Sequence, residues 1–250
     1  KNKAPYALIG LIAGAATIHV MNATIIFAAA IIFMMLHKIR EPSLAQQYKL
    51  VPMYVFISFG FTNFGMHYII ERKLLLYDSL MMGVEAGLAF ILTLIFIQCI
   101  PLIFSSKRSR ALRTEEVVSL TILIASILTG TIGWTIYDLS FEHILSRYLV
   151  LIFALSAGAA IGSTVGVVTG LIFSLASVAT LFQMSLLAFA GLLGGLLKEG
   201  RKIGTAAGLL VATVLIGLYG EGTSNLTIAM YESLVAIGLF MLTPGFLLEK

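Results

Sequence analysis

Fifty consecutive residues, 148–197, contain no Asp, Glu, Lys, Arg or His. A helix or strand that meets water on one face repeats polar positions along that face, and a stretch this long without charge has no wet face to offer. Inside it Gly158, Gly162, Gly166 and Gly170 recur at every fourth position, a spacing that sets all four along one side of a continuous helix. In water each would weaken the helix by about 1 kcal/mol relative to alanine. In lipid the same row is useful, because a groove without side chains lets a neighbouring backbone approach closely. Gly191, Gly194 and Gly195 form a second small-residue patch that could bend or receive the first. Both patches read as packing faces, within the chain or between copies of it.

The rest of the chain agrees with this environment. It is 59% hydrophobic and 11% charged, against about 25% charged residues in soluble domains. The predicted fold class is all-α: a polytopic transmembrane helical bundle of eight to ten spans, some short or re-entrant, with residues 1–250 forming one multi-pass membrane domain. Opening on Lys1-Asn2-Lys3 without an initiator methionine, the chain reads as an excerpt of something longer. Cys99 is its only cysteine, so no intrachain disulfide is available.

Residues 4–36 are interrupted only by His19 and Asn22. As one helix they would be about 50 Å long, against a hydrocarbon core of about 30 Å, so two short helices with a turn near residues 17–22 are expected. Further spans are expected at 51–70, 79–104, 117–137, 203–220 and 228–242. Pro42 and Pro52 punctuate the first loop, while Trp134 and Tyr137 suit an interfacial anchor at the end of the 117–137 span. Asp138, Glu142, His143 and Arg147 are expected in a loop. The glycine row favours a continuous helix over 155–180, leaving two short elements in the rest of the run.

Basic residues set the orientation. With Lys1 and Lys3 inside and alternating helices, thirteen Lys and Arg residues fall on the cytoplasmic side, and Arg72, Lys73 and Arg147 fall outside. That asymmetry predicts two cytoplasmic ends, since short loops rich in Lys and Arg stay in the cytoplasm. The loop carrying Lys107, Arg108, Arg110 and Arg113 dominates it, and such a loop also attracts anionic headgroups at about 1 kcal/mol per basic residue. The net charge of +4 is spread among loops and builds no continuous basic face, which argues against a nucleic-acid partner.

Intramembrane acids are expensive, at least about 2.5–3.5 kcal/mol each. Glu85 and Glu232 are therefore candidate sites. If the spans around residues 63 and 85 form a hairpin, Asn63 and Glu85 share a depth and His67 lies about one turn nearer the surface, giving a polar cluster of Asn63, His67, Glu85 and Glu232. One reading is a proton or cation site; the other is helix glue, or placement beside the outer headgroups, the latter favoured for Glu232. The histidines have no metal-ligand spacing, and no nucleophile elbow or phosphate loop is present. No catalytic or metal-binding residue is expected in the segment.

Five blocks carry a resemblance: Val84-Glu85-Ala86-Gly87-Leu88 with residues 91–96, residues 162–172, residues 183–200, residues 218–222 and Tyr231-Glu232-Ser233-Leu234. Together they resemble the membrane region of the stage II sporulation protein E family of endospore-forming bacteria. The resemblance implies a parent with a multi-pass membrane region, a central region that binds the division protein FtsZ, and a C-terminal serine phosphatase that uses manganese. That phosphatase acts on an anti-anti-sigma factor and so releases the first forespore-specific sigma factor. Manganese, FtsZ and the anti-anti-sigma factor would belong to regions absent here. For this segment the resemblance implies anchoring in the plasma membrane, delivery to the polar septum and self-association as a homo-oligomer. The competing expectation is a transporter-like domain with Glu85 as its cation or proton site.

Overall fold

The computed structural model describes residues 10, 14–15, 20–39, 46–71, 76–104, 113–176, 181–220 and 223–244. The chain divides into two compact units, Lys1–Pro101 and Leu102–Lys250. Among the described residues there are nine α-helices and one two-stranded hairpin.

The first unit holds α1 (Val20–Ile39), α2 (Gln47–Glu71) and α3, which starts at Leu76 and runs to Phe104. Val20 and Asn22 are already helical, so the expected turn at 17–22 ends no later than residue 19; residues 16–19 lie outside the described residues. The helix α2 begins earlier than expected and takes Lys49 and Pro52 out of the loop. A close approach brings α2 and α3 together. A Cβ on Gly60 would lie 3.5 Å from that of Ala86, and the Phe56 and Phe90 rings meet edge to face, 6.3 Å between centroids.

The second unit comprises α4 (Thr114–Leu128), the hairpin β1 (Thr135–Ile136) and β2 (Leu139–Ser140), α5 (Phe141–Ala157), α6 (Ala159–Ala176), α7 (Leu181–Leu196), α8 (Arg201–Gly220) and α9 (Thr223–Leu242). Glu116 starts α4 by accepting a hydrogen bond from the Arg113 backbone N–H at 2.8 Å, half of a capping box. The helix stops short of the expected 137. Thr129 and Thr131 hydroxyls donate to the Ser126 and Leu128 carbonyls, each at 2.7 Å. These are carbonyls that a further helical turn would use. One 3₁₀ turn, Thr129–Thr131, leads to the hairpin. There Thr135 pairs with Ser140 and Ile136 with Leu139, across a Tyr137-Asp138 turn with both φ positive, the twist a two-residue hairpin loop favours.

Two further expectations are corrected here. The residues assigned to a loop, Glu142, His143 and Arg147, are the first turns of α5. The helix expected over 155–180 is broken at Gly158, whose φ of 88° and ψ of −172° lie in a region essentially reserved for glycine. The uncharged run is thus the greater part of α5 followed by α6 and α7, three helices of 17, 18 and 16 residues. Val150, Leu151, Val165, Leu187, Ala190, Leu209, Ala212 and Phe240 close the core of this unit from α5 to α9.

Among the described residues four stretches are long and apolar enough to cross a membrane: Leu76–Ile100, Thr114–Thr131, Ala159–Ala176 and Lys198–Tyr219. Ala23–Ile39, Leu181–Leu196 and Leu226–Leu242 are apolar but shorter.

Candidate functional site

The deepest polar group in the second unit is an ion pair that joins α5 to α9. Arg147 and Glu232 have side chains 1% and 2% exposed, with Nη1 2.9 Å from Oε2. The amphipathic start of α5 explains the placement. His143 and Arg147 are four residues apart and share a face, and the uncharged, largely apolar run beginning at Tyr148 pulls that face into the core. Glu232 is saturated by donors: the Ser140 backbone N–H at 3.0 Å to Oε1 and His143 Nδ1–H at 3.1 Å to Oε1 and 3.2 Å to Oε2, besides Arg147. Arg147 also donates to the Ala229 carbonyl at 2.8 Å. One carboxylate therefore ties together β2, α5 and α9. The sequence reading set Glu232 beside the outer headgroups and Arg147 in a loop; both are buried instead, because each supplies the charge that the other needs to leave water. His143 was not recognised as a partner, although its spacing from Arg147 was visible.

Polar pairs accompany this clamp. Thr213 and Ser233 hydroxyls lie 2.9 Å apart in the α8–α9 interface, fully buried. Lys202 at the start of α8 donates to the Met241 carbonyl at 3.2 Å and to that of Thr243, closing the end of α9 with a cation, where the helix dipole favours one.

The glycine seam lies between α6, α7 and their neighbours. A Cβ on Gly162 would fall 2.7 Å from the Gly191 carbonyl oxygen and 2.9 Å from Ala154 Cα. One on Gly166 would strike the Leu187 carbonyl, and one on Gly170 would fall 2.5 Å from Met184 Cα. Reciprocally, Gly191 meets the Gly162 carbonyl and Gly195 meets Ala159, while Gly194 is covered by Thr205 at 3.2 Å. Gly158 stands apart from the row as the turn between α5 and α6, with Lys198 Nζ 3.1 Å from where its Cβ would be. Gly162, Gly166, Gly170, Gly191, Gly194 and Gly195 are all buried against atoms of the same chain.

In the first unit Asn63 Nδ2 donates to Glu85 Oε2 at 3.0 Å. Asn63 is buried and Glu85 exposed. His67, one turn further along α2, is half-buried. Glu232 belongs to the separate group in the second unit, so the expected four-residue cluster divides into an Asn63–Glu85 pair and the Arg147–Glu232 clamp. Of the basic loop, Arg113 is exposed at the start of α4; Lys107, Arg108 and Arg110 lie outside the described residues. Among the described residues no group of three or more His, Cys, Asp or Glu is arranged to hold a metal ion.

These features define an apolar, predominantly helical protein that fits a membrane segment and whose second unit is packed by glycine faces and a matched buried charge pair. Comparison with known proteins makes the assignment particular. The family described as SpoIIE, N-terminal domain, matches residues 1–250. Stage II sporulation protein E of Bacillus subtilis (strain 168) is 47% identical over 250 residues, 100% of this chain and 30% of that protein. Stage II sporulation protein E of Priestia megaterium is 60% identical over 87 residues, 35% of this chain and 15% of that protein. The chain belongs to the SpoIIE N-terminal domain family, and it spans less than a third of the Bacillus subtilis relative. No solved structure matches.

Proposed function

We propose that this chain is the membrane anchor and assembly domain of a sporulation protein phosphatase. In this reading the domain is threaded through the plasma membrane in eight to ten passes with both ends cytoplasmic. It gathers at the polar septum as a homo-oligomer and holds a manganese-dependent phosphatase, outside this segment, where it acts on an anti-anti-sigma factor. FtsZ binding belongs to the central part of the parent. The observation that carries the reading is family membership over the whole chain, joined to apolar helices whose charged core group is internally neutralised.

The orientation rests on the charge asymmetry, which sharpens once Arg147 is counted as buried: thirteen basic residues on the inner side against Arg72 and Lys73 on the outer. Three passes for α5, α6 and α7 agree with it, since Gly158 and Lys198 lie at the same end of that group. The glycine faces are spent within the chain, so self-association would use exposed apolar faces such as Leu171 and Leu175 on α6 or Val211 and Leu218 on α8.

A transporter-like domain is the second reading, favoured by the Asn63–Glu85 pair alone. Fluorescent fusion of the full-length protein in sporulating cells separates the two. Glu85→Gln leaves septal localisation and sigma-factor release intact if the domain is an anchor. Loss of an ion or proton flux, with unchanged localisation, would support the transporter instead.

A further inference from the structure

The β1–β2 hairpin follows the crossing-length stretch Thr114–Thr131 after only Ile132, Gly133 and Trp134. A segment this close to the end of a spanning helix lies where acyl chains give way to headgroups. Its outward side chains are those this zone accepts: Trp134, Ile136 and Tyr137 are 66%, 58% and 96% exposed. Trp and Tyr pair an apolar ring with one hydrogen-bonding group, which suits a boundary that is apolar on one side and wet on the other. The surface continues onto the flank of α4, where Ile127 is 67% exposed. No Lys or Arg occurs between residues 114 and 146, so attraction to anionic headgroups has no source here, and Asp138 at the turn would oppose it.

The hairpin is also held in one pose. The Phe141 N–H donates to the Trp134 carbonyl at 3.0 Å, and the Ser140 N–H donates to Glu232, itself clamped by Arg147. A loop needed only to connect α4 to α5 does not require its backbone fastened to a buried carboxylate while its largest side chains point outward.

We propose that this hairpin is a lipid-docking surface, seated in the headgroup–acyl boundary with Trp134 and Tyr137 as anchors and Ile136 as an apolar wedge, and insensitive to headgroup charge. The proposal rests on the membrane reading above and adds a contact that no spanning helix supplies.

Trp134 is the only tryptophan of the chain and therefore its own probe. The 250-residue chain is reconstituted into vesicles of phosphatidylethanolamine and phosphatidylglycerol containing phospholipids with a nitroxide on the headgroup or near the acyl-chain end. Trp134 emission should be blue-shifted from that of tryptophan in buffer and quenched more by the headgroup nitroxide than by the chain-end one. The order should persist when phosphatidylcholine replaces phosphatidylglycerol. An Ile127→Trp, Trp134→Phe variant serves as the embedded control and should be quenched more by the chain-end nitroxide. If the control behaves so while Trp134 is quenched by neither lipid, the hairpin stands in water and the proposal falls with the membrane reading intact. Quenching of neither tryptophan would remove both. Quenching of Trp134 that needs phosphatidylglycerol, or that is stronger from the chain end, would overturn the neutral boundary contact.

Discussion

Replacing Arg147 with leucine should be among the most damaging single changes in the second unit. The substitution leaves Glu232, 2% exposed, with only the His143 and Ser140 donors, and it removes the side-chain donor that the Ala229 carbonyl receives in addition to its helical bond. Breaking a buried pair by removing one member costs about 3–5 kcal/mol, because the remaining charge stays out of water without its counter-charge. Glu232→Leu should cost a similar amount, leaving a buried guanidinium alone. The double variant Arg147→Leu, Glu232→Leu removes both charges, and its main residual penalty is the half-buried Ser140 N–H, at most the roughly 1–3 kcal/mol that a fully buried donor left unsatisfied costs. The double should therefore be more stable than either single. Equilibrium unfolding of the reconstituted domain, followed by Trp134 emission from the hairpin that the clamp holds, yields all three values. By contrast, ordinary interhelical hydrogen bonds in membranes average about 0.6 kcal/mol. Singles costing no more than that, or a double equal to the sum of the singles within about 0.5 kcal/mol, would refute charge burial as the source of the clamp's strength.

Four further outcomes follow from the packing. Gly166→Leu should destabilise by about 1–3 kcal/mol or more through overpacking against the Leu187 backbone. Gly238→Ala, with nothing within 4 Å of the new methyl, should stabilise α9 by about 1 kcal/mol, and unfolding of the two variants side by side checks both signs. Gly158→Ala should cost on the order of 1–3 kcal/mol, the strain of holding alanine in that backbone region, and should loosen the α5–α6 turn as read by faster amide exchange there. Ser233→Ala should cost about 0.6 kcal/mol, at most about 1.7, since a single neutral hydroxyl pair in the α8–α9 interface is lost; a thermal shift as large as that of Arg147→Leu would contradict the ranking.

The uncharged run of residues 148–197 made apolar helices that fit a membrane segment legible, because apolar content that dense has no wet face to place. Gly162 through Gly170 on one face was legible too, since a four-residue period maps directly onto a helix side. The break at Gly158 was not: glycine at that spacing serves equally as a seam residue or a turn, and only the backbone angles separate the two. Arg147 and Glu232, 85 positions apart, were read singly as surface residues because each alone is unaffordable in a core. Their pairing depends on α5 and α9 being neighbours, which no local pattern encodes. Asn63 and Glu85, on consecutive helices, were within reach of a depth argument, and they do hydrogen-bond. The hairpin after α4 escaped notice because Gly130, Gly133 and the threonine hydroxyls that end the helix sit in a stretch apolar enough to pass for more span.

The account stands most directly on which side of the bilayer the two ends of α4 lie. In a cysteine-free background of the full-length protein in intact cells, with Cys99→Ala in this segment, Arg113→Cys and Asp138→Cys, at the exposed turn of the hairpin, report those ends to a membrane-impermeant maleimide. The account predicts labelling at position 138 before permeabilisation and at position 113 only after it. Labelling of position 113 in intact cells, or of both positions equally, would contradict it.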